Sequence, residues 1–272
     1  IVTTINVNGI RAAVKQRSAE NLGLLPWLTT TRADVVCLQE TRADDDQLAG
    51  ALAPALDDGW HLAHAAPSRK GRNGVAVLAR VPFTDIRAGC GHDEFADHGR
   101  YLEVDLSIDG EAVTVASIYV PTGEADTERQ VEKERFLAAT EVRLAELVAG
   151  GGHAVVCGDW NIAHAEADLK NWRGNRNKAG FLPAERQWVA DRLAAGWSDV
   201  VRGLHPGVDG PSCVVGRQMP FSTNGSDVSD RSHARSFHVT WYPKVADHCG
   251  TAALGSALMS AVALDLKTGS LM

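Results

Sequence analysis

Asp159 and Asn161 close the segment Val155-Val-Cys-Gly-Asp-Trp-Asn-Ile-Ala163, two positions apart and just past an apolar run. In extended backbone, residues i and i+2 face the same way. A carboxylate and a carboxamide are therefore expected to aim together beyond the end of a sheet. Such a carboxylate can take a proton from water or hold a hard cation, and the amide can orient a phosphoryl oxygen. An Asx-rich turn after a strand uses the same residue types, so this segment alone leaves both readings open.

The elements around it settle where such a site would form. Val2–Val7, Asp34–Glu40, Gly74–Ala79, Val113–Val120 and Gly152–Asp159 read as strands, and Tyr101–Ile108 alternates like a half-exposed one. Helical periodicity covers 11–29, 44–56, 128–148 and 183–195, the last closed by Gly196. Lys133, Arg135 and Arg143 fall on what reads as the polar side of the long helix. Helices alternate with strands, but hairpin-like strand pairs also occur, which points to an α/β sandwich with mixed sheets.

Four of these strands end in polar side chains: Asn6, Glu40, Tyr119 and the Asp159/Asn161 pair. Strand ends on one edge of a layered α/β fold converge on one cleft. A Glu, an Asp and two amides meeting there would hold Mg2+ or Mn2+, which prefer oxygen donors. His and Cys are absent from that set, which argues against zinc.

Composition narrows the class. The chain has 272 residues, 44% of them apolar, enough for one large α/β domain. It shows no linker or repeat in its first 210 residues and no apolar run long enough to cross a bilayer. The N-terminus reads as a strand without an initiator Met, hence trimmed or partial, and carries no export signal. Five widely spaced cysteines without a CxxC fit reduced thiols in a cytoplasm. The net charge of −7 argues mildly against non-specific nucleic-acid binding. Positive charge is nevertheless clustered in Lys170-Asn-Trp-Arg-Gly-Asn-Arg-Asn-Lys178, whose donors suit a phosphodiester backbone. A solvated basic loop would read the same way.

Taken in order, Asn6-Val-Asn-Gly-Ile-Arg11, Leu38-Gln-Glu-Thr41, Gly74-Val-Ala, Gly99-Arg100, Tyr119-Val-Pro-Thr-Gly123 and Gly158-Asp-Trp-Asn-Ile-Ala-His164 form a specific set. Together they resemble the exodeoxyribonuclease III family of bacterial abasic-site DNA endonucleases, within the endonuclease/exonuclease/phosphatase superfamily. Asp168-Leu-Lys-Asn171 and Gly180-Phe-Leu-Pro-Ala-Glu-Arg-Gln-Trp188 sharpen the match, which covers roughly residues 2–211. The resemblance implies a four-layer α/β sandwich of two mixed sheets flanked by helices. It implies a monomer acting on double-stranded DNA at abasic sites or 3′ ends, with Mg2+ or Mn2+ as cofactor.

Position by position, Glu40 looks like the principal metal ligand and Asn6 like its neighbour on metal or phosphate. Asp159 resembles the group that activates water, and Asn161 the one that holds a scissile phosphate oxygen. Both also count among the implied metal-site residues. Tyr119 resembles the hydroxyl that stabilises the transition state. Arg100, Lys170, Arg173, Asn175, Arg176 and Lys178 would lie along the DNA backbone.

The last sixty residues depart from this pattern. On that account residues 1–211 are expected to form the catalytic domain and 212–272 an aberrant tail in place of its last strands. The sandwich is then incomplete or perturbed at its C-terminal end. Ser212-Cys-Val-Val-Gly-Arg-Gln-Met-Pro-Phe-Ser-Thr-Asn has no Trp where such a family is expected to carry several. Asp230 lacks a strand-like context, and Asp247-His248 comes too early for the family's Asp-His-Ala-Pro. Impaired turnover is the expectation. Two alternatives stand beside it: a non-catalytic DNA-binding remnant, and a phosphodiesterase or phosphatase of the same fold with a non-DNA substrate.

Overall fold

The strands β1 (Val2–Asn6), β2 (Val35–Gln39) and β4 (Val75–Ala79) are buried at every position. Uninterrupted apolar and β-branched runs behave this way when both faces of a sheet are covered. The computed structural model describes residues 1–19, 21–108, 110–169, 171–200 and 202, and two tail strands at 239–241 and 259–264.

Two mixed sheets form. One has the order β3-β4-β2-β1-β9 and the other β10-β8-β7-β6-β5, where β3 is His61–Ala65, β5 Phe83–Ala88, β6 Tyr101–Ile108, β7 Glu111–Tyr119 and β8 His153–Asp159. β9 (Val239–Trp241) runs parallel to β1, and β10 (Met259–Leu264) runs antiparallel to β8. The tail thus lends one strand to an edge of each sheet.

The internal pairing decides where function sits. β1 lies parallel to β2, with Asn6 level with Gln39, and β7 lies parallel to β8, with Tyr119 level with Asp159. Each sheet therefore sends a parallel pair of carboxyl ends to the same rim. Between the sheets pack Val35, Cys37, Val77, Val104, Val115 and Cys157. Near the rim, Gln39 Nε2 donates to Ser117 Oγ at 2.9 Å, and Ser117 Oγ donates to the Leu38 carbonyl at 3.1 Å. These buried bonds pin one sheet to the other beside the site.

Helices close the outer faces. The helices α2 (Leu24–Thr30) and α3 (Asp45–Asp57) pack on the first sheet through Leu28, Leu48 and Leu52. α4 (Glu128–Ala149) packs on the second through Phe136, Leu137 and Leu144, together with Trp160 and Trp197. This is the four-layer sandwich expected from sequence.

Local departures have local causes. The helix expected over 11–29 is two pieces, α1 (Ile10–Ala13) and α2. Gly23 separates them with φ 88°, where a Cβ would come within 2.8 Å of the Val14 and Lys15 carbonyls. A continuous helix cannot pass such a turn. β3 and β5 were not foreseen. β6, read as half-exposed, is mostly buried because the long side chains of Arg87 and Arg143 cover its polar positions.

Candidate active site

Asn6 stands at the centre of the rim. Its Oδ1 accepts from the Asn8 backbone N–H at 3.0 Å, which turns Nδ2 the other way. Nδ2 then donates to Glu40 Oε1 and to Asp159 Oδ2, both at 2.8 Å. One amide from the first sheet thereby joins two buried carboxylates, one from each sheet.

Glu40 leaves β2 in the left-handed region, φ 53°, and its carbonyl accepts from Gly9 N–H at 2.7 Å. That turn swings the carboxylate over the rim, where Arg42 pairs with Oε2. Thr41 follows, bonded to His64 Nε2 at 3.1 Å, and His64 Nδ1 meets Asp45 at 2.7 Å. This supporting chain was not read from sequence. Only the spacing of a His in β3 opposite β4 could have signalled it.

Asp159 depends on Gly158. A Cβ at Gly158, whose φ is 152°, would sit 2.0 Å from the Ile118 carbonyl. The glycine lets β8 close on β7 at the point where Tyr119 and Asp159 emerge side by side. Tyr119 is held near both carboxylates. Burial raises its hydroxyl above the usual phenol range, and Glu40 and Asp159 add to the rise, so it remains a neutral donor.

Asn161 reaches the site differently from expectation. It is not extended but left-handed, φ 50°, so strand alternation does not align it with Asp159. Its own backbone N–H lies 3.3 Å from Asp159 Oδ1, and its Nδ2 donates to the Val120 carbonyl at 2.8 Å. The residue steadies Asp159 and the Tyr119 loop together.

The proposed DNA contacts divide. Arg100 does not lie along the surface: its guanidinium stacks 5.1 Å from the Tyr119 ring centroid and donates to the Tyr119 carbonyl at 3.1 Å. Asn175 is buried and bonds the Asn171 carbonyl at 2.9 Å, so it shapes the loop instead of facing a ligand. Arg173, Arg176 and Lys178 are exposed, Arg173 over the Trp172 ring. Lys170 lies outside the described residues, as do Asp230, Asp247 and His248. Lys133, expected on the polar side of α4, is instead buried and paired with Glu185 at 2.6 Å.

The donor set suits a hard cation. Two buried carboxylates supply the oxygen donors, and the Asn6 amide faces them through Nδ2 and not through its oxygen. No group of three His, Cys, Asp or Glu that could hold a metal gathers anywhere among the described residues. Glu40 and Asp159, with Asn6 between them, would hold such an ion.

Comparisons with known proteins identify relatives of the chain as a whole. The chain is 32% identical over 205 residues to an exodeoxyribonuclease of Bacillus subtilis (strain 168), covering 75% of each protein. It is equally identical over 205 residues to the DNA repair nuclease APEX1 of Danio rerio, covering 75% of this chain and 63% of that protein. An AP endonuclease structure from Archaeoglobus fulgidus superposes with a TM-score of 0.65 at 28% identity, over 76% of this chain and 74% of the other. The family model described as Endonuclease/Exonuclease/phosphatase matches residues 3–258, beyond the 2–211 over which the motifs were legible. The chain belongs to the endonuclease/exonuclease/phosphatase family.

Proposed function

We propose that this chain is a DNA-repair nuclease that hydrolyses phosphodiester bonds 5′ to abasic sites and removes nucleotides 3′ to 5′ from duplex DNA. The observation that carries the reading is the Asn6 amide joining Glu40 to Asp159, with the Tyr119 hydroxyl beside them. Four side chains from distant strands meet where charge on a phosphate would develop.

The division of labour follows from the contacts. Asp159, oriented by N–H donors on both oxygens, takes the proton of the attacking water. Tyr119 keeps its proton and donates to a non-bridging oxygen as negative charge builds there. Arg100 beneath the ring holds the phenol in place. Glu40 and Asp159, bridged by the Asn6 amide, would hold a divalent cation, Mg2+ or Mn2+, which would supply Lewis-acid stabilisation of developing negative charge. Arg173, Arg176 and Lys178 bind the DNA backbone. The reading takes the protein to be a cytoplasmic monomer. Its turnover is lower than in the relatives, because the tail departs from the family's Asp-His segment.

A duplex carrying one tetrahydrofuran abasic analogue and a 5′ fluorophore tests the proposal. Incision immediately 5′ to the lesion with Mg2+, and none with EDTA, is expected. Cleavage of inositol phosphates in place of DNA would overturn it, and so would DNA binding without incision that Asp159→Asn leaves unchanged.

A further inference from the structure

Lys133 is fully buried beneath the site, and its ammonium has three acceptors. Glu185 Oε1 lies at 2.6 Å, the Asn161 carbonyl at 2.8 Å and the Thr122 carbonyl at 3.4 Å. Two of the three are main-chain oxygens. One belongs to the loop after Tyr119 and the other to the loop after Asp159.

Glu185 carries the connection further. Its Oε2 accepts from the Gly180 N–H at 2.7 Å and the Leu182 N–H at 3.0 Å, and Oε1 accepts from Gln130 at 3.2 Å. Gly180 ends the segment that bears Arg176 and Lys178, and its carbonyl accepts from Ala163 N–H at 2.7 Å. One ion pair thus touches the Tyr119 loop, the Asp159–Asn161 loop and the base of the basic loop.

Burying both charges is not an efficient way to stabilise a fold, since well-packed apolar side chains of similar volume do as well or better. Asn161 is meanwhile in the left-handed region at φ 50°, a conformation asparagine tolerates, and the Lys133 ammonium donates to its carbonyl there. We infer that Lys133 and Glu185 are positioning residues, a buried clamp that sets the two catalytic loops and the DNA-binding loop at fixed spacing for attack on the phosphate. The inference deepens the nuclease reading and rests on it for its kinetic readout alone.

The test replaces the pair by apolar isosteres, Lys133→Met with Glu185→Met, which removes the clamp without leaving a lone buried charge. Expected are a Tm within a few degrees of the parent and a KM for the abasic duplex within about threefold. kcat should fall about 10- to 100-fold, the scale set by an ångström of misplacement. Amide exchange at Ala163 and Val120, neither of which bonds the clamp directly, should quicken about tenfold while β2 stays protected. Parental kcat, or parental exchange at these amides, would overturn the clamp. A parent chain that cuts no DNA would sink the nuclease reading, and unchanged exchange in the variant would still sink the clamp on its own. Should the double Met variant not fold, Lys133→Leu with Glu185→Met is judged by the same readouts.

Discussion

Asn6 and Asp159 stand 153 residues apart in the chain and share a 2.8 Å hydrogen bond from amide to carboxylate. The bond crosses from one sheet to the other, and its donor also serves Glu40. Asn6→Ala leaves two buried carboxylates without that N–H. It should lower stability by about 1–3 kcal/mol in metal-free buffer and reduce kcat. Thermal unfolding with and without EDTA measures it. An unchanged midpoint in EDTA would mean that the amide is not what holds the acids together.

Asp159→Asn removes the acceptor for the water's proton and keeps the side chain's volume. A fall in kcat of about 10²- to 10⁴-fold is expected, with duplex affinity retained. Tyr119→Phe loses one donor to the developing charge and should cost about 10²-fold in kcat. Single-turnover incision and a separate binding titration distinguish these losses from weaker binding.

Arg176 and Lys178 are exposed whereas Asn175 is not, so their substitutions should part company. Arg176→Ala or Lys178→Ala should weaken duplex binding and lower the slope of log affinity against log salt by about 1 each. Asn175→Ala should leave that slope alone and lower the melting temperature, through the lost bond to Asn171. Binding measured over a salt series decides it.

Glu103 governs behaviour in acid. Burial by itself pushes its carboxyl up, but bonds from Arg143, Tyr101 and Arg87 outweigh that and hold it below the usual range. Asp105 is lowered by Arg87 as well. A folded-state pKa below the unfolded value, about 4 for such groups, contributes stability that is complete above the unfolded pKa. That contribution is lost as pH falls through the folded pKa. Asp199, raised by burial, works in the opposite direction and softens the limb. The melting temperature should therefore hold steady down to about pH 5 and drop below about pH 4. Glu103→Gln should start lower and show a shallower acid decline.

Much of this was legible because strands announce their ends. Asn6, Glu40, Tyr119 and Asp159 each follow an apolar run, and a layered fold sends such ends to one rim. Lys133 departs from its expected polar side because its position on the helix, not its charge, decides which face it takes. It falls with Gln130, Leu137, Thr140 and Leu144 on the buried stripe of α4, and a lysine on that stripe already implied an acidic partner. β3 escaped notice since its two histidines do not read as β-formers, although one of them supports Thr41. Arg100 could not be placed from sequence at all, because its stacking on Tyr119 depends on β6 and β7 lying side by side.

Asn6 and Glu40 come from one sheet, Tyr119 and Asp159 from the other. A half-folded chain in which only one layer has assembled therefore owns half a scissors. On the nuclease reading, cleavage requires both blades to have met, since neither sheet alone carries both carboxylates.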